Sequence, residues 1–305
     1  QKAGIKVRQP LGELKIKSGQ PTEEYLDLIK EELNVKKVVF DNSISPEVEL
    51  DTKITPALKA EGEYREFMRE LQDERKSRGL NPGDKMPMSI EKIYKKYRIM
   101  PALENHMLRV AAVASLICDN FREPLPKEEI ITACLLHDMG NIIKSDLTAF
   151  SKEFYEPGGV EYWQNVQYEY IDKYGQDEHE ATINIMKELG VSAKVIEIVD
   201  QIHFSFLCRQ RDGDDMNLKI SHYSDARVDP YGVVSYDERM DEAKKRYKSR
   251  NISIGGVGEE KRKELVACGQ EIEKQIFAKC KIKPEDINNQ TVAPLISSLR
   301  NFVIK

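Results

Sequence analysis

The run Ile130-Ile131-Thr132-Ala133-Cys134-Leu135-Leu136 leads straight into His137-Asp138 and then Met139-Gly140-Asn141. A helix this apolar reads as buried. An imidazole and a carboxylate at its end are costly there unless something pairs them. A metal ion is the economical partner, because it takes both side chains as ligands. The histidines support this. The chain has only five in 305 residues. His106 precedes the pair on an apolar helical stretch, His179 and His203 follow on helical stretches, and His222 lies beside Asp225.

Texture divides the chain. In residues 1–50, Gly4-Ile5-Lys6-Val7-Arg8 and Glu13-Leu14-Lys15-Ile16-Lys17 alternate like strands. A helix is predicted over 23–33, a strand over 35–40, and a long charged helix from Thr55-Pro56 to about Arg78. Asn81-Pro82-Gly83-Asp84 is a turn signal, and the stretch around Pro87 reads as a linker. From Ser89 onward nearly everything reads as helix: 90–97, 103–121, a helix opening at Pro126 that carries the pair, 177–189, 193 to about 206, 218–227, 236–249, 259–277 and a last helix to Phe302. An aromatic-rich stretch, 150–175, holds the only tryptophan, Trp163, and residues 211–215 read as a loop. The fold class expected is mainly α, with a helical bundle over 87–305 behind a small α/β module over 1–86.

Composition narrows the setting. Hydrophobic residues make up 40% and charged residues 32%, so a core is affordable beneath a charged surface. Mean hydropathy is −0.56, and no long apolar run or signal peptide is visible. A net charge of −5 disfavours a whole-chain basic binder of nucleic acid. The five cysteines form no CxxC pair; most read as small core residues, and their low density suggests a reducing cytoplasm. The chain opens with Gln1 rather than Met, as expected of a trimmed or longer product.

No two of the candidate ligands share an i, i+4 face, so a site must be assembled across helices, as helical bundles do. The text around the ligands is specific. Asn105-His106-Met107-Leu108-Arg109-Val110-Ala111, Leu135-Leu136-His137-Asp138-Met139-Gly140-Asn141 and Tyr223-Ser224-Asp225-Ala226-Arg227-Val228 resemble the three motifs of the HD-domain superfamily of metal-dependent phosphohydrolases. The resemblance covers roughly residues 88–240. It implies an all-α fold and a divalent metal (Mn, Mg, Fe, Co or Zn) held by His106, His137, Asp138 and Asp225. Some branches insert two more histidines between the pair and the last Asp and hold two metals bridged by the Asp of the pair; His179 and His203 fall in that order here, which would put them on the second metal. The alternatives are an exposed helix-start residue for His179 and a packed aromatic for His203. The implied substrate is a nucleotide or small phosphate ester. Its charge would be met by Lys144 first, then Arg109 or Arg227, each of which reads equally as a solvated cation. His222, three before Asp225, is either a support for that carboxylate or an ordinary histidine.

The front segment resembles something else. Lys2-Ala3-Gly4-Ile5-Lys6-Val7-Arg8-Gln9-Pro10-Leu11, Glu32-Leu33-Asn34-Val35-Lys36-Lys37-Val38, Leu50-Asp51-Thr52-Lys53-Ile54-Thr55-Pro56 and Gly79-Leu80-Asn81-Pro82-Gly83-Asp84 are similar to the carboxyl-terminal portion of a class I isoleucyl-tRNA synthetase. Neither the HIGH nor the KMSKS signature occurs, so no aminoacylation is expected of this chain alone. Met88-Ser89-Ile90-Glu91 has the form of a native start, which places a junction there, whether by natural fusion or by an accident of assembly. Residues 1–86 carry no nucleophile, metal cluster or phosphate loop. They support contact with tRNA through Arg8, Lys15, Lys17, Lys36 and Lys37, or a solvated face. Three further readings remain open: a tail functioning only within a longer isoleucine–tRNA ligase, a dinuclear iron oxygenase, and a domain that binds nucleotide without turnover.

Overall fold

The computed structural model describes residues 4–19, 22–81, 83–148, 155–249 and 258–304. The chain divides into two compact units, one comprising residues 1–84 and 146–169 and the other residues 85–145 and 170–305.

The first unit opens with β1 (Leu11–Ile16), α1 (Glu23–Leu33) and β2 (Val35–Phe40), in which β1 and β2 pair in parallel. α1 is the crossover that a parallel pair requires. It ends on Asn34 in the left-handed conformation at φ 54°, a residue type that tolerates that region. β3 (Val48–Leu50) pairs antiparallel on the other edge of β1, giving the order β2-β1-β3. Leu11, Leu14 and Val35 are buried together, with Ile5, Ile16, Ile29 and Val38 packed around them. α2 (Pro56–Ser77) begins as the sequence predicts: the Thr55 side chain accepts from the Leu58 amide, and Pro56 occupies the first helical position. The Asn81–Asp84 turn is closed by the Asp84 amide donating to the Asn81 carbonyl at 3.1 Å, with Pro82 outside the described residues. Residues 4–8 do not form the strand their alternation suggests; Gly4 takes a positive φ, and the Gln9 amide closes a turn on the Lys6 carbonyl. Most of the cations proposed to meet RNA face acids: Lys36 pairs with Glu61, Lys37 with Glu13, Lys15 with Asp41 and Arg8 with Glu66. In residues 146–169, Trp163 is buried and donates from Nε1 to the Tyr155 carbonyl at 3.0 Å.

The second unit is the helical one. In chain order come β4 (Met88–Ser89), α3 (Ile90–Lys96), α4 (Pro101–Asn120), α5 (Lys127–Leu136), the end of α6 (Gly159–Tyr174), α7 (Glu178–Leu189), α8 (Ala193–Asp200), α9 (Leu207–Asp212), α10 (Met216–Asp225), α11 (Tyr236–Ser249), α12 (Glu259–Phe277), α13 (Asn289–Arg300) and β5 (Val303–Ile304). The protein is mainly α, with a helical bundle and a small α/β module, as expected. Every residue from Ile130 to Leu136 is buried, because α4, α8 and α10 pack around α5. Tyr94 of α3 reaches this core and donates to the Leu135 carbonyl at 2.7 Å. Burying one such Leu or Ile contributes about 1.5–3 kcal/mol, so the fully enclosed α5 anchors the unit. α7 ends on Gly190 at φ 71°, the left-handed position that only glycine adopts without strain.

Two segments differ from the sequence reading. The helix expected to run to about Phe206 stops at Asp200. His203 is extended, and its Nδ1 accepts from the Ser205 amide at 3.2 Å, so a side-chain cap replaces the helical ladder. The expected loop at 211–215 is in part the end of α9. The cysteines also divide differently: Cys208 and Cys268, 60 residues apart, are joined in a disulfide between α9 and α12, while Cys118, Cys134 and Cys280 are free. Sequence spacing carries no signal of a pairing that distant.

Candidate metal centre

Three helix positions build the site. Met100, held extended ahead of Pro101, starts α4 and sets His106 on its second turn, half-buried. His137 is the C-cap of α5, and Asp138 opens the turn behind it. Asp225 is the last residue of α10, whose start is fixed by the Asp215 side chain accepting from the Asn217 and Leu218 amides. Since α10 packs on both α4 and α5, the three helices deliver their polar ends to one place.

The distances are short. His106 Nε2 lies 3.0 Å from Asp225 Oδ1, and His137 Nε2 lies 3.5 Å from the same oxygen. Asp138 Oδ2 is 3.6 Å from each imidazole Nε2. One donor atom each from His106, His137 and Asp225 falls within a mutual 4.8 Å. Two ligand atoms about 2.1 Å from one ion, at tetrahedral or right angles, stand roughly 3.0–3.4 Å apart. The two distances to Asp225 Oδ1 are close to this range, so the three side chains could hold a small divalent cation after a small adjustment.

His137 is prepared for that role. Its Nδ1–H donates to the Cys134 carbonyl at 2.9 Å, so Nε2 is the nitrogen that faces the carboxylates and could take a cation in exchange for its proton. Nε2 is buried and has no hydrogen-bond partner. Such an orphaned atom is rare in a folded interior and calls for an ion or proton. Burial pushes the imidazole's proton affinity down, but Asp138 and Asp225 outweigh it and hold the pKa up at about 9. Burial raises Asp225, and the hydrogen bond from His106 together with the nearby His137 imidazole reverses this, leaving it well below the usual carboxylate range. The pocket is thus strongly attractive to positive charge.

The other expected residues lie as follows. His179 Nε2 faces Asp200 Oδ1 at 3.2 Å near the surface. His203 Nδ1 is engaged with Ser205, and its ring lies 5.4 Å from that of Phe206. Neither joins the three-residue donor set. Lys144 is ion-paired with Glu178 at 2.8 Å. Arg109 is half-buried one turn beyond His106, with no hydrogen bond or ion pair among the described residues. Arg227 is a structural pin: it is buried and donates to Tyr223 and to the carbonyls of Val234, Pro284 and Ile287, which together take up four of its five N–H groups. His222 is buried and bonded through Nδ1 to Gln210 Oε1 at 2.7 Å.

Gly140 sets the turn after the pair against α7. Its amide donates to Thr182 Oγ1 at 2.9 Å, and a Cβ there would stand 2.2 Å from the Glu178 carbonyl oxygen. Only glycine permits this approach. Sequence reasoning missed it, and it also missed Asp200, Gln210 and the Cys134 carbonyl. Of these, only the carbonyl was within reach, being three residues back on the same helix.

The segment around these ligands matches a known family: residues 103–207 fit the model described as HD domain. The match spans about a third of the chain, all of it around the His106 and His137 positions, and supports a likeness to the HD-domain superfamily. HD domains bind divalent metals and belong to a superfamily of metal-dependent hydrolases. The matched stretch holds His106, His137, Asp138, His179 and His203; Asp225 lies beyond it, and the fold brings it in. No curated protein and no solved structure matched the chain. None of these comparisons matched residues 1–86. No helix among the described residues is long and apolar enough to cross a membrane.

Proposed function

We propose that this HD domain is a metal-dependent phosphohydrolase acting on a nucleotide or small phosphate ester. The observation that carries the reading is the convergence of His106, His137 and Asp225, with the buried Nε2 of His137 lying 3.5 Å from Asp225 Oδ1 and making no hydrogen bond among the described residues. His106, His137 and Asp225 would hold the cation, with Asp138 beside both imidazoles. When bound, a divalent metal makes water acidic enough to supply hydroxide near neutral pH and polarises a phosphoryl oxygen. The chain's own residues orient and neutralise. Arg109, one turn beyond His106 and without a hydrogen bond or ion pair among the described residues, is the cation we assign to a phosphate oxygen, and its fork suits two oxygens at once. Lys144 would serve only by leaving Glu178. His179 and His203, with Asp138 as a bridge, are the residues proposed for a second metal. For residues 1–86 we propose a module derived from a synthetase tail, touching tRNA.

The test is metal analysis of the full chain together with phosphate release from a panel of nucleotides and phosphate esters. Stoichiometric metal and turnover, both lost in His137→Ala, are the expected result. Bound iron with oxygen consumption and no phosphate release would replace this reading with the oxygenase one, and a metal-free wild type would remove it.

A further inference from the structure

The disulfide Cys208–Cys268 joins α9 to α12, and its two ends are chemically unequal. Cys208 is partly exposed, whereas Cys268 is 1% exposed. Arg211 places Nη1 3.2 Å from Cys268 Sγ, and its other nitrogens are held by Asp212 at 2.8 and 2.9 Å. The Glu264 carboxylate lies 4.0 Å from Cys208 Sγ. A guanidinium N–H, oriented by the Asp212 ion pair, is therefore aimed at one sulfur, and a carboxylate lies near the other.

We propose that this pair is a thiol–disulfide exchange site with a built-in direction. An incoming thiolate attacks Cys208 Sγ, the sulfur that solvent reaches. A new S–S bond forms there, the Cys208–Cys268 bond breaks, and its electron pair leaves on Cys268 Sγ. Exchange is faster when the leaving sulfur is the more acidic one. The Arg211 guanidinium stabilises the Cys268 thiolate, while Glu264 opposes a thiolate at Cys208. A second thiol then displaces Cys208, so a dithiol is oxidised as the protein pair is reduced. The partner class is a small dithiol or a protein with two cysteines.

Reduction removes a covalent brace from α9. That helix carries Gln210, which accepts from His222 and donates from Nε2 to the Gln201 carbonyl at 2.7 Å, tying α8, α9 and α10 together. Asp225 ends the same α10. An effect on metal affinity rests on the function proposed above; the exchange chemistry does not.

The experiment treats the oxidised full chain with limiting glutathione, quenches with a maleimide, and maps the cysteines by mass spectrometry. Glutathione should appear on Cys208 and the maleimide on Cys268. Arg211→Gln should slow reduction by dithiothreitol about tenfold, with Arg211→Lys restoring much of the rate. Hydrogen exchange in α9 and α10 should rise on reduction to the level of Cys208→Ser. Glutathione on Cys268, an unchanged rate in a folded Arg211→Gln protein, or five free thiols in the air-oxidised chain would overturn the proposal. Metal content measured on the same samples separates this outcome from the hydrolase reading, because exchange at Cys208 is expected whether or not metal is bound.

Discussion

His106 Nε2 and Asp225 Oδ1 lie 3.0 Å apart although 119 residues separate them in the chain. Only the packing of α4 against α10 brings them together. Asp225→Ala removes one of the three converging donors and leaves the imidazoles without their shared carboxylate. Metal affinity should fall roughly 100-fold or more, and turnover with it. Titration with a divalent cation under competition from a chelator measures this. An unchanged affinity would place the ion elsewhere.

Arg109→Gln should leave metal content intact. Losing a cation that meets phosphate should raise KM for an anionic substrate by about 10-fold or more, through loss of a charge-assisted bond. Steady-state kinetics on the best substrate of the panel would show this. Equal KM values would return Arg109 to the role of a solvated surface cation.

Gly140→Ala forces a Cβ to within 2.2 Å of the Glu178 carbonyl oxygen and 2.9 Å of both the Ala181 Cβ and the Thr182 amide nitrogen. Backbone cannot yield as a side-chain tip can. A loss of about 1–3 kcal/mol is expected, as for an overpacked interior. A denaturant midpoint at the wild-type value would contradict the contact.

His222 carries a pH signature of its own. Burial pushes its pKa down to about 4, with Asp225 opposing and His203 and His137 assisting. The unfolded chain takes up this proton near the ordinary value of about 6.5, so between those values the unfolded state binds more protons. Stability should therefore fall as pH drops from 6.5 towards 4. By pH 5 the loss from this group is about 2 kcal/mol. Comparing wild type with His222→Gln at pH 7.5 and pH 5 isolates it, because His137 titrates in both. Parallel stability curves would show that His222 is not buried in its neutral form.

Much of this was legible in the chain, and the reason is local. The limits of α1, β2, α11 and α12 coincide with the sequence reading because caps, prolines and periodicity lie within a few residues of each boundary. The clustering of His106, His137 and Asp225 was legible because an imidazole and a carboxylate at the end of so apolar a run demand a partner. The rest depends on neighbours distant in sequence. Nothing near Cys208 announces Cys268, and nothing near Gly140 announces the backbone of Glu178. Arg227, read as a candidate for phosphate, is consumed by carbonyls up to 60 residues away. The break after Asp200 was missed because His203 suits a helix in composition while its side chain favours capping the next turn.

The pairing of Met88 with Ile304 and Ser89 with Val303 ties the strand ahead of α3 to the strand behind α13. Fraying at either strand therefore frees the other as well, so the two flanking helices loosen together and not one at a time.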